Sequence, residues 1–209
     1  MRKVLLFAAL LAAGCANLDA VSPTSTDLDP TQGYALVSLS HSGYGWLENL
    51  VVTYRKRGGI DNLRQIAIVP RTLYREPEAG VLLRDAERRM IGELKLLSLP
   101  PGDYEFVSWS ALASRGNVGL AIVETTWKPV DPPPPLAFSV SAGKVTYVGN
   151  LDISIPSPKR YRWRGLDERS RDLGLFESRF AGSRRFPSEV RLMQAPSASQ
   201  AEFEGAATQ

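Results

Sequence analysis

From residue 33 onward, apolar and polar positions alternate with a period of two more often than with a helical period, so the pattern predicts strands. Tyr34 to Ser40 reads as a first strand. Leu50 to Arg57 sets Leu50, Val52 and Tyr54 on one face and Val51, Thr53 and Arg55 on the other. Gln65 to Val69 is short and apolar and stops at Pro70, and Leu120 to Thr125 is a further strand. The longest alternation follows the break at Ala142-Gly143. Val145, Tyr147, Gly149, Leu151, Ile153 and Ile155 fall on one face, and Lys144, Thr146, Asn150, Asp152 and Ser154 on the other, with Val148 the exception. Gly149 in mid-strand predicts a bulge or a close backbone approach.

Glu93-Leu94-Lys95-Leu96 alternates charge and leucine, as a half-buried strand does. Asp103-Tyr104-Glu105-Phe106 alternates again, and Pro100-Pro101-Gly102 lies between the two. Pro101 presets φ and Gly102 supplies the positive φ of a type II turn, so the pair predicts a hairpin. Leu82 to Met90 predicts a turn or two of helix, and the proline run Val130 to Leu136 an exposed polyproline loop. The better helix is Asp167 to Phe180, where Leu173, Phe176 and Phe180 recur at helical spacing. Asp167 and Glu168 favour its positive end, while Gly174 costs about 1 kcal/mol relative to alanine. Many short strands and little helix predict a mainly β fold, an antiparallel β-sandwich with one C-terminal helix. The sandwich spans residues 33–156, a C-terminal helical extension packing on it spans 157–194, and 195–209 reads as a disordered tail.

The first residues carry a different pattern. Arg2 and Lys3 precede the uncharged apolar run Val4 to Ala13, too short for the ~20 residues of a spanning helix and the right size for a signal-peptide core. Ala12, Ala13 and Gly14 are small, and Cys15 is the one cysteine of the chain. Residues 1–14 therefore read as a signal peptide, and 15–32, polar and proline-broken, as a flexible tether that begins at Cys15. The segment Leu11-Ala12-Ala13-Gly14-Cys15 resembles the signal of bacterial lipoproteins, with Ala12 where leucine is commoner. That resemblance implies acylation of Cys15 and attachment to a membrane, and two or more acyl chains hold firmly. Ala16, in place of the aspartate that retains enteric lipoproteins at the inner membrane, implies the outer membrane facing the periplasm.

The run Leu99-Pro-Pro-Gly-Asp-Tyr-Glu-Phe106, followed by Phe138 to Asn150 with its Gly143-Lys144 and Tyr147-Val148-Gly149, resembles the prealbumin-like (transthyretin-like) sandwich domains of bacterial lipoproteins. The resemblance covers about residues 33 to 156 and implies a fold without implying an activity.

Composition narrows the chemistry. A formal charge of +3 includes Arg2 and Lys3 of the signal, which leaves no electrostatic case for nucleic acid. With one histidine, His41, and one cysteine, no zinc pattern exists, and no metal or cofactor is expected. Ser38, Ser40 and Ser42 neighbour His41 but lack a nucleophile elbow. Asp103 and Glu105 share a strand face at the ~5–9 Å that glycoside hydrolysis uses, as any half-exposed strand allows. Tyr44, Trp46, Trp109 and Trp127 stand near strand ends, and Tyr161-Arg162-Trp163-Arg164 alternates aromatic and cationic groups. Core packing is the first reading of that run and a binding surface the second. The expectation is a membrane-anchored, non-catalytic binding or assembly module with an envelope protein or glycan as partner. A small hydrolase of envelope carbohydrate and a passive structural lipoprotein are the alternatives.

Overall fold

A computed structural model describes residues 19–43, 47–59, 62–68, 79–87, 90–118, 121–157, 159–182, 188–196 and 202–208. Cys15 and the apolar head lie outside the described residues, as do Tyr44 and Trp46. The strands are β1 (Ala20–Val21), β2 (Gly33–Gly43), β3 (Leu47–Lys56), β4 (Arg64–Ile68), β5 (Val81–Asp85), β6 (Met90–Leu99) and β7 (Gly102–Val118). They continue with β8 (Ala121–Pro129), β9 (Leu136–Val140), β10 (Val145–Ser157) and β11 (Arg160–Leu166), then helix α1 (Arg169–Arg179), β12 (Ser188–Val190) and β13 (Glu202–Thr208).

The fold is mainly β with one helix among the described residues, as the alternation predicts. Hydrogen-bonded neighbours run β1-β6-β2-β10-β11-β13-β8-β7-β3-β4, with β5 on β6, β9 on β7 and β12 on β10, and the sheet curls until it is nearly closed into a barrel. It is mixed where a wholly antiparallel sheet was expected: β10 runs parallel to β2 over Val145 to Ile155 and parallel to β12. Both neighbours on one half of β10 being parallel suits a strand buried on both faces, and Val145 to Ile155 is buried throughout.

The expected bulge is present, and it does more than bend the strand. Gly149 takes φ of 106°, and the pairing with β2 slips between Tyr147 and Gly149. One extra residue inverts the alternation beyond it. Val145 and Tyr147 therefore pack outward in a cluster with Leu36, Leu94, Phe176 and Phe180, while Val148, Leu151, Ile153 and Ile155 join the barrel interior. Val148, the exception to the sequence pattern, marks the switch.

Other expectations change. The strands flanking Pro100-Pro101-Gly102 exist, but β6 pairs with β2, β5 and β1, and β7 with β3, β8 and β9. Gly102 takes φ of 146°, and the turn carries the chain from one side of the barrel to the other in place of closing a hairpin. Leu82 and its neighbours form strand β5, not helix, because β6 offers an unpaired edge to them. Leu94 and Leu96 face the helix layer, while Glu93 and Lys95, on the opposite face, are buried as well and pair at 2.7 Å. Helix α1 lies within the expected range, buries Phe176 and packs over β10 and β6. The stretch read as a tail holds β13, which bridges β11 and β8. The proline run is partly buried at Pro133, and the carbonyls of Asp131 and Pro134 accept from Tyr161 OH and Trp163 Nε1.

From Asp19 on, the expected tether 15–32 is part of the folded structure. β1 pairs with β6, and Asp19 beside it reaches the opposite edge of the sheet. There its carboxylate accepts from the Tyr54 hydroxyl of β3 and, at 2.6 Å, from Arg64 of β4. Burial, with the neighbouring Asp19 carboxylate, pushes the Tyr54 phenol well above its ordinary value. Asp19→Ala strands a buried hydroxyl and unlatches the seam, a loss of about 1–3 kcal/mol. In urea unfolding, Tyr54→Phe should then cost little in the Asp19→Ala background, and fully additive losses would contradict the latch.

Candidate functional site

Strand β2 presents two chemistries on its two faces. Ala35, Val37 and Leu39 point into the barrel, and by alternation His41 does too. Ser38, Ser40 and Ser42 fall on the outer face, where Ser38 meets α1. His41 Nδ1 lies 3.0 Å from the Ile153 carbonyl, and burial pulls its pKa down to about 4 against that bond and the Asp152 charge. The serine hydroxyls are committed elsewhere. Ser38 Oγ donates to Asp172 Oδ2 at 2.6 Å, and Ser40 Oγ to Asp152 Oδ1 at 2.9 Å. Histidine and serines thus stand on opposite sides of one sheet, which removes the triad arrangement that their closeness in sequence allowed.

Helix α1 is fastened to this outer face by a buried carboxylate. Asp172, fully buried in the first turn, accepts from Ser38 and, at 2.8 Å, from Tyr147 OH, and it pairs with Arg171 at 2.7 Å. Tyr147 OH also accepts from the backbone N–H of Glu168 at 3.1 Å, where Glu168 itself makes no side-chain cap. A tyrosine of the sheet thereby satisfies one of the open donors at the helix start.

Beside this fastening lies a cleft of about 340 Å³. Ser42 of β2 and Met90 of β6 line one side, and Arg164 and Leu166 of β11 the other. Asn150 and Asp152 of β10 lie between them, with Glu168 at the approach to α1. Arg164 donates to Asp152 Oδ2 through Nε at 3.2 Å and through a terminal nitrogen at 2.5 Å. Asn150 Nδ2 donates to Ser40 Oγ at 3.0 Å. Because the single Ser40 proton goes to the Asp152 carboxylate, Ser40 can only accept from Asn150. This fixes the amide with its nitrogen on Ser40 and leaves the carbonyl Oδ1 unpaired, although Asn150 is only 1% exposed. Leaving such an acceptor unmet costs about 1–3 kcal/mol. Two other buried atoms share that state among the described residues, Asn49 Oδ1 and Trp109 Nε1, but neither lines this cleft.

The run singled out in the sequence divides by alternation. Tyr161 and Trp163 are fully buried and fill the barrel, Tyr161 against Trp109 at 5.1 Å, so neither offers a surface. Arg162 faces outward beside Glu204, and of the four only Arg164 reaches the cleft. Trp109 and Trp127 are core as well. Glu105 is paired with Arg55 at 2.7 Å and Asp103 accepts from Ser139, which uses both carboxylates considered for hydrolysis. A second, more open groove of about 580 Å³ gathers Arg57, Arg169 and Arg191, each beside a carboxylate: Glu105, Asp167 and Glu189. Sequence reasoning missed Ser40, Asn150 and Asp152 as a group. Its one available signal was amide and carboxylate in a strand whose other face is already apolar. Among the described residues no group of three His, Cys, Asp or Glu side chains could hold a metal ion.

Burial of neutral His41 makes stability pH-dependent. The unfolded chain takes up the proton near pH 6.5 and the folded one only near 4, so stability falls as pH drops through that window and levels off below it. The full loss is about 3 kcal/mol, and His41→Gln should flatten that part of the curve in chemical denaturation at stepped pH. An unchanged slope would show that His41 is protonated in the folded chain. No protein-family model matches the chain, and no curated protein is similar to it at a significant level.

Proposed function

We propose that the chain is a lipid-anchored protein of the bacterial cell envelope that works as a non-catalytic binding module, with the cleft on the outer face of β2, β6, β10 and β11, beside the start of α1, as its site. One observation carries the binding half: Asn150, which lines the cleft, keeps an almost wholly buried amide carbonyl, Oδ1, unpaired beside an Asp152 carboxylate held by Ser40 and Arg164. Fixed donors and acceptors around one open valence are what pre-organised recognition requires. The outer membrane facing the periplasm is the proposed location. A prealbumin-like ancestry is the reading of the turn motifs at Leu99 to Phe106 and Phe138 to Asn150.

The anchoring half rests on the apolar run that ends in Gly14-Cys15. Among the described residues no helix is long and apolar enough to cross a membrane. With Asp19 latched to the barrel seam, three residues, Ala16 to Leu18, separate the acylated cysteine from the folded domain, at most about 14 Å of chain from Cys15 to Asp19. The seam side, carrying Arg64 and the exposed Leu63, is then held against the bilayer. Mass spectrometry of the N-terminal peptide should find Cys15 as the first residue, carrying acyl chains. Cys15→Ser should free the protein from membranes on gentle lysis. An unmodified Cys15, or wild-type protein released by osmotic shock, would overturn the anchor.

A further inference from the structure

The polar groups of the cleft specify what it takes. We propose that it binds a small primary-ammonium compound, the ammonium donating to Asn150 Oδ1 and a short hydrocarbon segment resting on Met90 and Leu166. This rests on the reading of the chain as a binding module and names the ligand class of the same site.

The unmet group is an acceptor, so the ligand must bring a donor. Around it the lining is acceptor-rich: both oxygens of Asp152 already receive hydrogen bonds, from Ser40 and Arg164, and Glu168 adds a second carboxylate. Against these stands one lining guanidinium, Arg164, while that of Arg171, which touches Met90 at 3.8 Å, is paired with Asp172, so the lining carries one negative charge in excess. An anion would meet that excess and an amide oxygen with nothing to donate. A monocation with several N–H groups answers the charge and the open valence together. Met90, a polarizable thioether that is 6% exposed, and Leu166 give the remaining wall an apolar character. The volume, near the lower end of the ~300–1,000 Å³ of small-molecule sites, suits a compound of a few heavy atoms.

The test compares three probes with one carbon chain and different heads: n-butylammonium, n-butanol and butyrate, each titrated at constant ionic strength into the full acylated chain in detergent micelles. The readouts are the side-chain NH2 resonances of Asn150, assigned by their loss in Asn150→Ala, and the backbone amides of Leu166 and Glu168. Butylammonium should shift them saturably, butanol more weakly, and butyrate not at all. Asn150→Ala should weaken butylammonium about tenfold or more, the worth of a hydrogen bond to a charged group. Glu168→Gln, at the cleft's edge, removes the excess charge and should also weaken it, which keeps the test decisive if Asn150→Ala fails to fold. If butanol or butyrate equals or surpasses butylammonium, the ligand class falls and the binding module stands. If none of the three moves these resonances, both fall and a resident water is the partner of Asn150 Oδ1.

Discussion

The bulge at Gly149 is the constraint on which the rest of the molecule depends. β10 is buried on both faces between β2 and its neighbours β11 and β12, so every residue of it belongs to one packing layer or the other. The positive φ of Gly149 inserts one residue and hands the strand from one assignment to the other. Before it, Val145 and Tyr147 serve the helix layer. After it, Leu151, Ile153 and Ile155 serve the barrel, and Asn150 and Asp152 come out beside Ser40 and Arg164. Without the extra residue, the amide and carboxylate would turn into the barrel and the aliphatic side chains out under the helix. That exchange would desolvate a charge and expose core surface at once.

Two fastenings work with this strand. Asp172 ties α1 to Ser38 and Tyr147, so the helix, whose N-cap Glu168 borders the cleft, is held by a buried carboxylate with three partners and not by aromatic packing alone. Asp19 ties the N-terminal segment across the seam to Tyr54 and Arg64. The two lie on different parts of the sheet and serve different ends: one holds α1 to the outer face of the sheet, and the other holds the segment beside β1 across the seam.

Much of the fold was legible because strand alternation is local. β2, β3, β4, β10 and α1 stand where periodicity puts them, and the bulge was marked by a mid-strand glycine next to a valine out of phase. Pairing was not legible. Pro100-Pro101-Gly102 encodes a turn, but whether the two strands it joins pair depends on edges supplied by residues far away, as β2 and β3 do here. Leu82 to Asp85 became a strand for the same reason, and Glu202 to Thr208, too polar to declare itself, found a place between β11 and β8. The cleft was the least legible part. Ser40, Asn150 and Arg164 become neighbours only through the parallel pairing of β2 with β10 and the antiparallel pairing of β10 with β11. The aromatic-cationic run near the C-terminus, more conspicuous in sequence, contributes one cleft residue and two core residues.

The most direct measurement is the pattern of nuclear Overhauser contacts along β10 in the labelled protein. An inverted alternation requires the Tyr147 ring to show contacts to α1 side chains such as Phe176, while the Leu151 and Ile153 methyls show contacts to Leu39 and Trp163 inside the barrel. Tyr147 and Ile153 reporting the same set of neighbours would mean an unbroken strand, and the cleft as described would not exist.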